Sequence, residues 1–306
     1  MTDLPTIAIS VGDLNGVGIE IALKSHTDVS QICVPVYGIN APMLQQAAKK
    51  LDVNIPDDFY LFEVEGSFEI QAGKISKESG QYSYDSFIDA IKLCKAKDVD
   101  ALVTMPINKE AWKLAGLDFV GHTDVLRKRF KKNAIMMLGC EEMYVALYTE
   151  HIPLKDVAKN ITTEALVKFL HDLHKSVGHK KVAVLGLNPH AGDNGVLGDE
   201  EQEIEQAIEI VNELVGEELF FGPVVPDIAF TPSFRKNYQY FVAMYHDQGL
   251  APLKALYFDE SINVSLNLPI IRTSVDHGTA FDIAYEGKAK TLSYLNAVKS
   301  AISFIG

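Results

Sequence analysis

Short apolar runs alternate with helix-like segments along the whole chain of 306 residues, and this alternation constrains the fold more than any other feature. A strand followed by an amphipathic helix, repeated many times, is typical of parallel sheets whose strands are connected through helices. The predicted strands are 6–11, 32–38, 59–64, 101–104, 134–138, 143–149, 181–187, 240–245 and 270–275. The clearest helices are predicted over 83–97, 199–215 and 291–304. The sequence therefore predicts an α/β fold with mostly parallel sheets covered by helices on both faces.

The composition limits the partners that such a chain can have. Its formal net charge of -13 argues against a general nucleic-acid binder, which normally carries a basic field. Three scattered cysteines are typical of a reducing compartment. The first residues do not resemble a signal peptide, and no apolar run approaches the ~20 residues that a membrane helix needs. We expect a cytoplasmic protein that binds neither nucleic acid nor membranes.

Three histidines follow predicted strands: His151, His190 and His246. In open α/β sheets, ligands bind beyond the carboxyl ends of the strands. Three imidazoles that leave one position open are a set that catalytic zinc uses. The three histidines are far apart in the sequence and form no local motif. From spacing alone, the alternative stays open that each one caps a turn or bonds a carbonyl group.

Residues 243–284 are unusually rich in groups that a plain core would not need. Lys254 and Arg272 can bind an anion, although surface salt bridges are the alternative. Asn263 is a polar residue inside an apolar, strand-like run. A glycine-rich loop at 12–18 lies between a predicted strand and a helix, but it is not GxGxxG, and tight packing explains it equally well.

Seven segments and the terminal helix form a recognisable series along the chain: VGDLNGVGIE (11–20), TMPINKEA (104–111), GHTDVL (121–126), EHIPL (150–154), LGLNPHAGDNGVLGDEE (185–201), MYHDQGLAPLK (244–254) and 262–284. LNPHAG, YHDQG and RTSVDHGTA in one chain are a specific combination. Together these segments resemble the 4-hydroxythreonine-4-phosphate dehydrogenase family, and they occur in family order. The family's first loop usually has prolines where Leu14 and Ile19 stand here, which implies a less rigid loop.

The resemblance implies a two-lobed α/β/α subunit related to the isocitrate and isopropylmalate dehydrogenases. One lobe is expected over 1–120 plus 271–306, and the other over 121–270. It also implies a homodimer whose active site is shared between subunits, with one metal ligand coming from the partner subunit.

Site residues follow from the resemblance by position. The metal ligands are His151, His190 and His246. Substrate contacts are expected from His122, Thr123, Lys254, Asn263 and Arg272. Cofactor contacts are expected from His277, Gly278, Thr279 and Asp282. By their chemistry, His122 and Asp247 are the candidates for moving a proton, and the alternative for Asp247 is that it orients a metal ligand.

The implied reaction is the oxidation of 4-phosphohydroxy-L-threonine by NAD or NADP, followed by loss of CO2, on the route to pyridoxine 5'-phosphate. Zinc suits histidine ligands best, with magnesium or cobalt as alternatives. A dehydrogenase for another phosphorylated four-carbon acid, such as threonate or erythronate 4-phosphate, is the first alternative. A phosphate acyltransferase-like protein and a non-catalytic binding module are the others.

Overall fold

The structure, a computed structural model, describes residues 4–305. Its strands, in chain order, are β1 (Thr6–Ser10), β2 (Val34–Gly38), β3 (Tyr60–Phe62), β4 (Ala101–Thr104), β5 (Ile135–Cys140), β6 (Met143–Leu147), β7 (Val182–Leu185), β8 (Phe220–Val224), β9 (Tyr240–Ala243), β10 (Ile262–Leu266) and β11 (Arg272–Val275). The α-helices are α1 (Gly18–Ser30), α2 (Ala41–Leu51), α3 (Lys77–Ala96), α4 (Lys109–Leu114), α5 (His122–Phe130), α6 (Thr163–Val177), α7 (Glu200–Val215), α8 (Pro226–Ala229), α9 (Pro232–Arg235), α10 (His246–Tyr257) and α11 (Leu292–Ile305).

The chain divides into two compact units. Unit 1 contains the chain up to Lys132, then Ile262–Val264, and then the chain from Leu268 onward. Unit 2 contains Asn133–Ser261 and Ser265–Asn267.

Five strands of unit 1 pair with their neighbours in parallel. They lie in the order β3-β2-β1-β4-β11, with β1 between β2 and β4. Helix α3 contacts β1, β2 and β4, and α11 contacts β4 and β11. Phe87, Ile91 and Trp112 are fully buried among the large side chains of this core.

The sheet of unit 2 is parallel except at one edge. Its strands lie in the order β5-β6-β9-β7-β8, and only β5 and β6 pair in antiparallel fashion. Those two strands are joined directly through the exposed pair Glu141 and Glu142. The core packs Leu147, Phe241 and Leu253, with further apolar side chains around them. The predicted α/β class with mostly parallel sheets is confirmed.

Polar caps define where several helices begin. The side chains of Asn40, Ser76 and Asn108 accept hydrogen bonds from backbone N–H groups three residues later. Such caps satisfy donors that the first turn of a helix leaves unpaired. Helix α7 has no side-chain cap, but acidic residues fill its first turn, where the helix dipole favours them.

Three details of the predicted elements differ from the structure. Strand β10 lies in the region described only as a strand-like run and is not among the predicted strands. Helix α3 begins six residues before the predicted start at 83, because Ser76 caps it and Gly80 lies inside it. Strand β8 was not predicted, since Gly222 and Pro223 interrupt its apolar run. Nevertheless Phe220, Phe221 and Val224 pair with β7, with a register shift between the pairs.

All three cysteines, Cys33, Cys94 and Cys140, are free and buried. Burial raises the pKa of each thiol to about 12. Among residues 4–305, no helix is long and apolar enough to cross a membrane.

Gly80 supplies a test of this packing. Replacing a helical glycine by alanine normally stabilises a helix by about 1 kcal/mol. Here an added Cβ would overlap the backbone carbonyl of Ala111, which cannot move away without shifting α4. Overpacking costs about 1–3 kcal/mol, so we expect Gly80→Ala to lower the free energy of unfolding by about 1–2 kcal/mol. Urea denaturation measures this, with the exposed Lys95→Ala in the same helix as the control; a stabilised Gly80→Ala would contradict the packing.

Candidate active site

Three strand ends of unit 2 carry the three histidines predicted as metal ligands. His151 follows β6, His190 follows β7, and His246 opens α10 directly after β9. These strands are neighbours in the parallel part of the sheet, so their carboxyl ends meet at one edge. The rings of His151 and His246 lie with their centroids 5.5 Å apart. The structure therefore brings two of the three histidines together.

Asp247 fixes the ring of His246. Its Oδ1 lies 2.7 Å from Nδ1 of His246, and the Asp247 side chain is 83% exposed. A carboxylate bonded to one ring nitrogen sets the tautomer and leaves the other nitrogen available to a metal. Glu150 lies farther from His151, with 3.9 Å between Oε2 and Nδ1. Asp247 is thus positioned to orient the ring of His246.

The segment around His190 has an unusual backbone. His190, Ala191, Asp193 and Asn194 all have positive φ angles, between 44° and 54°, and the intervening Gly192 has a φ of 76°. Each non-glycine residue in this region costs about 1–2 kcal/mol relative to the right-handed conformation. Strained backbone of this kind persists only where its surroundings hold it, and it clusters at functional sites.

Glu201 holds the start of this segment. Its Oε1 accepts hydrogen bonds from the backbone N–H groups of Leu187 (2.9 Å) and Asn188 (2.7 Å). Its Oε2 accepts a bond from Nδ2 of Asn188, at 2.9 Å. Glu200 accepts a second bond from the same Nδ2, at 2.7 Å. The backbone that leads to His190 is therefore fixed by two carboxylates from the first turn of α7.

The donor chemistry fits a divalent metal in part. His151 and His246 are adjacent, solvent-accessible imidazoles, and zinc, cobalt and similar ions bind such nitrogens well. Within the described chain, no three His, Cys, Asp or Glu side chains form a group that could hold a metal. His190 therefore does not complete a site with the other two histidines in this structure.

Unit 1 carries a buried cation near a half-buried imidazole, that of His122. Arg272, at the start of β11, is 2% exposed, and its Nη2 and Nε donate to Oγ1 of Thr104 at 2.6 Å and 3.2 Å. Burial lowers the pKa of the Arg272 guanidinium to about 9, so the group stays protonated at neutral pH. The charged guanidinium of Arg272 is thus held in a fixed orientation by Thr104.

His122 begins α5 and lies against two aromatic rings. Its ring meets Phe87 and Trp112 edge-on, with centroid distances of 4.5 Å and 5.6 Å. Burial, and then the positive charge of Arg272, hold the pKa of His122 well below its ordinary value of 6.5. The ring is therefore neutral at neutral pH, and its buried Nε2 has no hydrogen-bond partner.

The remaining predicted substrate residues are divided between the units. Thr123 and Asn263 belong to unit 1, and Lys254 lies on α10 in unit 2. The buried Oδ1 of Asn263 has no partner, like Nε2 of His122. Buried polar atoms are normally paired, so an unpaired one needs an explanation, and a bound ligand is one.

The predicted cofactor residues lie in an irregular segment of unit 1 that packs on the glycine-rich loop. Val17 N–H donates to the carbonyl of Thr279 at 3.0 Å, and Tyr285 Oη donates to the carbonyl of Leu14 at 2.7 Å. A Cβ on Gly16 would come within 2.7 Å of the Thr279 carbonyl oxygen. His277, Gly278 and Asp282 are exposed. The loop at 12–18 and the segment at 277–285 therefore form one assembly.

Comparison with known proteins decides the family. The family model described as pyridoxal phosphate biosynthetic protein PdxA matches residues 18–301. The chain belongs to the PdxA family. The predicted resemblance is thereby confirmed.

Relatives in this family cover nearly the whole chain. A protein named 4-hydroxythreonine-4-phosphate dehydrogenase from Sulfurimonas denitrificans is 67% identical over 97% of both chains. One of the same name from Campylobacter fetus is 59% identical over 98% of both. A crystal structure of such an enzyme from Burkholderia phymatum is 31% identical over 98% of both, with a TM-score of 0.84. Likeness in fold alone extends to a β-decarboxylating dehydrogenase from Thermococcus kodakarensis, at 12% identity, a TM-score of 0.52, and 99% and 84% coverage.

Four residues of this PdxA-family chain support the candidate sites without having been predicted. Thr104 holds Arg272, Glu201 holds the His190 segment, and Gln248 lies between two strand ends. Asp13 lies inside the glycine-rich loop. TMPINK, LGDEE, YHDQG and VGDLNG contained these residues, but nothing in the sequence identified their partners.

Asp13 is a buried carboxyl group. Its Oδ1 accepts a bond from Asn15 N–H at 2.9 Å, and its Oδ2 accepts one from Ser79 Oγ at 3.2 Å. Asn15 in turn donates to the carbonyl of Lys74 at 2.7 Å and accepts from Gln71 N–H at 2.8 Å. Burial outweighs these bonds and raises the pKa of Asp13 from 3.8 to about 6.

This raised pKa predicts a pH dependence of stability. The folded chain binds the Asp13 proton more tightly than the unfolded chain, so stability falls as pH rises from about 4 to about 6. The loss from this one group amounts to at most about 3 kcal/mol. Asp13→Asn keeps the shape, and its amide can accept from Asn15 N–H and donate to Ser79 Oγ, so we expect it to remove this part of the pH dependence. Urea denaturation at several pH values measures it, with the exposed Asp57→Asn as the control; parallel pH curves for wild type and Asp13→Asn would contradict the assignment.

Proposed function

We propose that this chain is a 4-hydroxythreonine-4-phosphate dehydrogenase. The observation that carries the proposal is 67% identity over 97% of both chains to a relative of that name. The reaction is the NAD- or NADP-dependent oxidation of 4-phosphohydroxy-L-threonine, in pyridoxine 5'-phosphate biosynthesis. A cytoplasmic location is part of the same proposal.

The chemistry has two steps. The hydrogen on C3 leaves as hydride to the nicotinamide ring while the C3 hydroxyl loses its proton, which gives a 3-oxo acid and the reduced cofactor. The bond between C2 and the carboxyl group then breaks, CO2 leaves, and the electron pair stays on C2, which takes up a proton. The product is 3-amino-2-oxopropyl phosphate.

Substrate binding is assigned to His122, Thr123, Lys254, Asn263 and Arg272. A phosphate needs local positive charge in a protein of net charge -13. Arg272 offers a planar fork of donors that Thr104 holds in place, and Lys254 offers a point charge. The unpaired Nε2 of His122 and Oδ1 of Asn263 support a ligand that supplies the missing hydrogen bonds.

The proton roles follow from the environments of two groups. His122 is neutral and its Nε2 has no partner, so it can hydrogen-bond the substrate hydroxyl and relay its proton. Asp247 is bonded to His246 Nδ1, which supports a role in orienting that ring. We therefore assign the proton transfer to His122 before Asp247.

A divalent metal is assigned to His151, His190 and His246, with zinc first and magnesium or cobalt as alternatives. When bound, it supplies Lewis acidity toward the hydroxyl oxygen of the substrate and the carbonyl oxygen of the oxidised intermediate. The pairing of only two of the histidines supports a site that a second subunit completes. The nicotinamide cofactor is assigned to His277, Gly278, Thr279 and Asp282.

The proposal is tested by following NADH or NADPH absorbance with 4-phosphohydroxy-L-threonine, with and without added zinc, magnesium or cobalt. Threonate 4-phosphate and erythronate 4-phosphate in the same assay decide between this substrate and its four-carbon relatives. Release of CO2 in proportion to reduced cofactor is expected, and preference for either competitor would overturn the substrate assignment.

Arg272→Lys tests the phosphate role. The lysine keeps a positive charge but loses the fork of donors, and a hydrogen bond to a charged group contributes about 1.5–3 kcal/mol. We therefore expect kcat/KM for the phosphorylated substrate to fall by about 10- to 100-fold. Arg235→Lys is the matched control, because Arg235 bonds Phe230 and Tyr257 within unit 2. Equal effects of the two substitutions would argue against the role of Arg272.

The shared site is tested by mixing two inactive variants, His190→Ala and His246→Ala. If the two histidines of one site come from different subunits, a mixed dimer keeps one intact site. Random reassortment then restores about a quarter of the wild-type activity. Each variant alone serves as the control, and mixtures that stay inactive would show that one subunit supplies both residues.

A further inference from the structure

Met244 is the point at which three histidine-bearing segments of unit 2 are connected. It follows β9 directly and is fully buried. Its backbone N–H donates to Oε1 of Gln248 at 2.7 Å, and its carbonyl accepts a bond from Oγ1 of Thr149 at 2.6 Å. Thr149 lies two residues before His151, and Gln248 lies two residues after His246.

The other end of the Gln248 amide reaches the third segment. Its Nε2 donates to the carbonyl of Gly186 at 2.7 Å, four residues before His190. Because Oε1 faces an N–H group and Nε2 faces a carbonyl, the orientation of the amide is fixed by its partners. Gln248 is 9% exposed, so water competes little for these bonds.

These side chains add to the sheet where its regular ladder ends. The pairing of β7 with β9 ends at Val184 and Val242, and the pairing of β6 with β9 ends at Leu147 and Ala243. Two backbone bonds continue beyond the second pair, from Tyr148 N–H to the Ala243 carbonyl at 2.9 Å and from Thr149 N–H to the Met244 carbonyl at 3.3 Å. Gln248 links the first pair of segments and Thr149 the second, so both links lie between the sheet and the histidines.

We propose that Gln248 is a positioning residue that holds the segments carrying His190 and His246 in register within one subunit. This register sets where each histidine enters the shared metal site to which it contributes, and thereby sets metal affinity. Thr149 extends the same connection to the segment of His151. Glu201 completes it by fixing Leu187 and Asn188, the residues that follow Gly186. The inference rests on the proposed function, because the metal site belongs to it.

The test compares Gln248→Met with Gln46→Met. Methionine fills a similar volume but neither donates nor accepts as the amide does. Gln46 is a matched control in unit 1, since its Oε1 accepts from Ile70 N–H at 2.5 Å and its Nε2 donates to the carbonyl of Phe68 at 2.9 Å. Affinity for Zn2+ is measured by chelator competition, and the geometry of bound Co2+ by its visible absorption spectrum.

Loss of a residue that orients metal ligands typically weakens metal binding about 10- to 100-fold. We expect that loss and an altered Co2+ spectrum for Gln248→Met, with Gln46→Met close to wild type. Equal affinities for the two variants, or equal losses, would overturn the proposal. His190→Ala distinguishes a failure of the proposed metal site from a failure of the role of Gln248. If it binds Zn2+ like wild type, the proposed metal site is wrong; if it loses Zn2+ while Gln248→Met keeps it, only the role of Gln248 is wrong.

If Gln248→Met folds poorly, two further measurements still test the proposal. Hydrogen exchange of the metal-free protein is expected to be faster over 186–194 in Gln248→Met, while Gln46→Met leaves that segment unchanged. Thr149→Val removes only the hydroxyl bond to the Met244 carbonyl, while the backbone N–H of Thr149 keeps its own bond to that carbonyl. It is therefore expected to weaken Zn2+ binding less than Gln248→Met. Its control is Thr231→Val, which removes a hydroxyl bond to the carbonyl of Ile228. Unchanged exchange over 186–194 would count against the proposal even if metal affinity falls.

Discussion

Parallel pairing of β6, β9 and β7 is the constraint on which the histidine-bearing edge of unit 2 depends. Parallel strands must all end at one edge, so the segments that follow them begin side by side. Beyond the ladder, backbone groups lose their partners and need new ones. Thr149, Gln248 and Glu201 supply such partners. The same side chains therefore pair backbone groups and position the segments that carry the histidines.

In unit 1, burial disfavours the charged form of three groups, but the outcome at neutral pH differs between them. The guanidinium of Arg272 keeps its charge because its intrinsic pKa is high, whereas the imidazole of His122 loses its charge. Burial raises the pKa of Asp13, which disfavours the charged form of that carboxyl group as well. Each of these groups costs stability when buried, and the core around Phe87 and Trp112 must offset that cost. Such fixed polar groups need little rearrangement when a ligand binds.

Most of the fold could be predicted from local patterns, but the contacts that position the sites could not. Apolar runs and helical periodicity identified nearly all the strands, and β8 was missed because Gly222 and Pro223 resemble a turn. The pairing of His151 with His246 was foreseeable, because both follow strands. Gln248 and Gly186 are 62 residues apart, and Asp13 and Ser79 are 66 apart. Side chains of this type look like ordinary helix or loop residues until the fold brings their partners to them.

The burial of all three thiols has a practical consequence. A thiol must be both accessible and deprotonated to react, and Cys33, Cys94 and Cys140 are buried with pKa values raised to about 12. The folded chain therefore resists alkylating and oxidising reagents. Unfolding exposes the thiols and returns their pKa values toward the ordinary range. The rate of reaction with such a reagent therefore measures the fraction of unfolded protein. Cys33 and Cys94 report on unfolding of unit 1, and Cys140 reports on unfolding of unit 2.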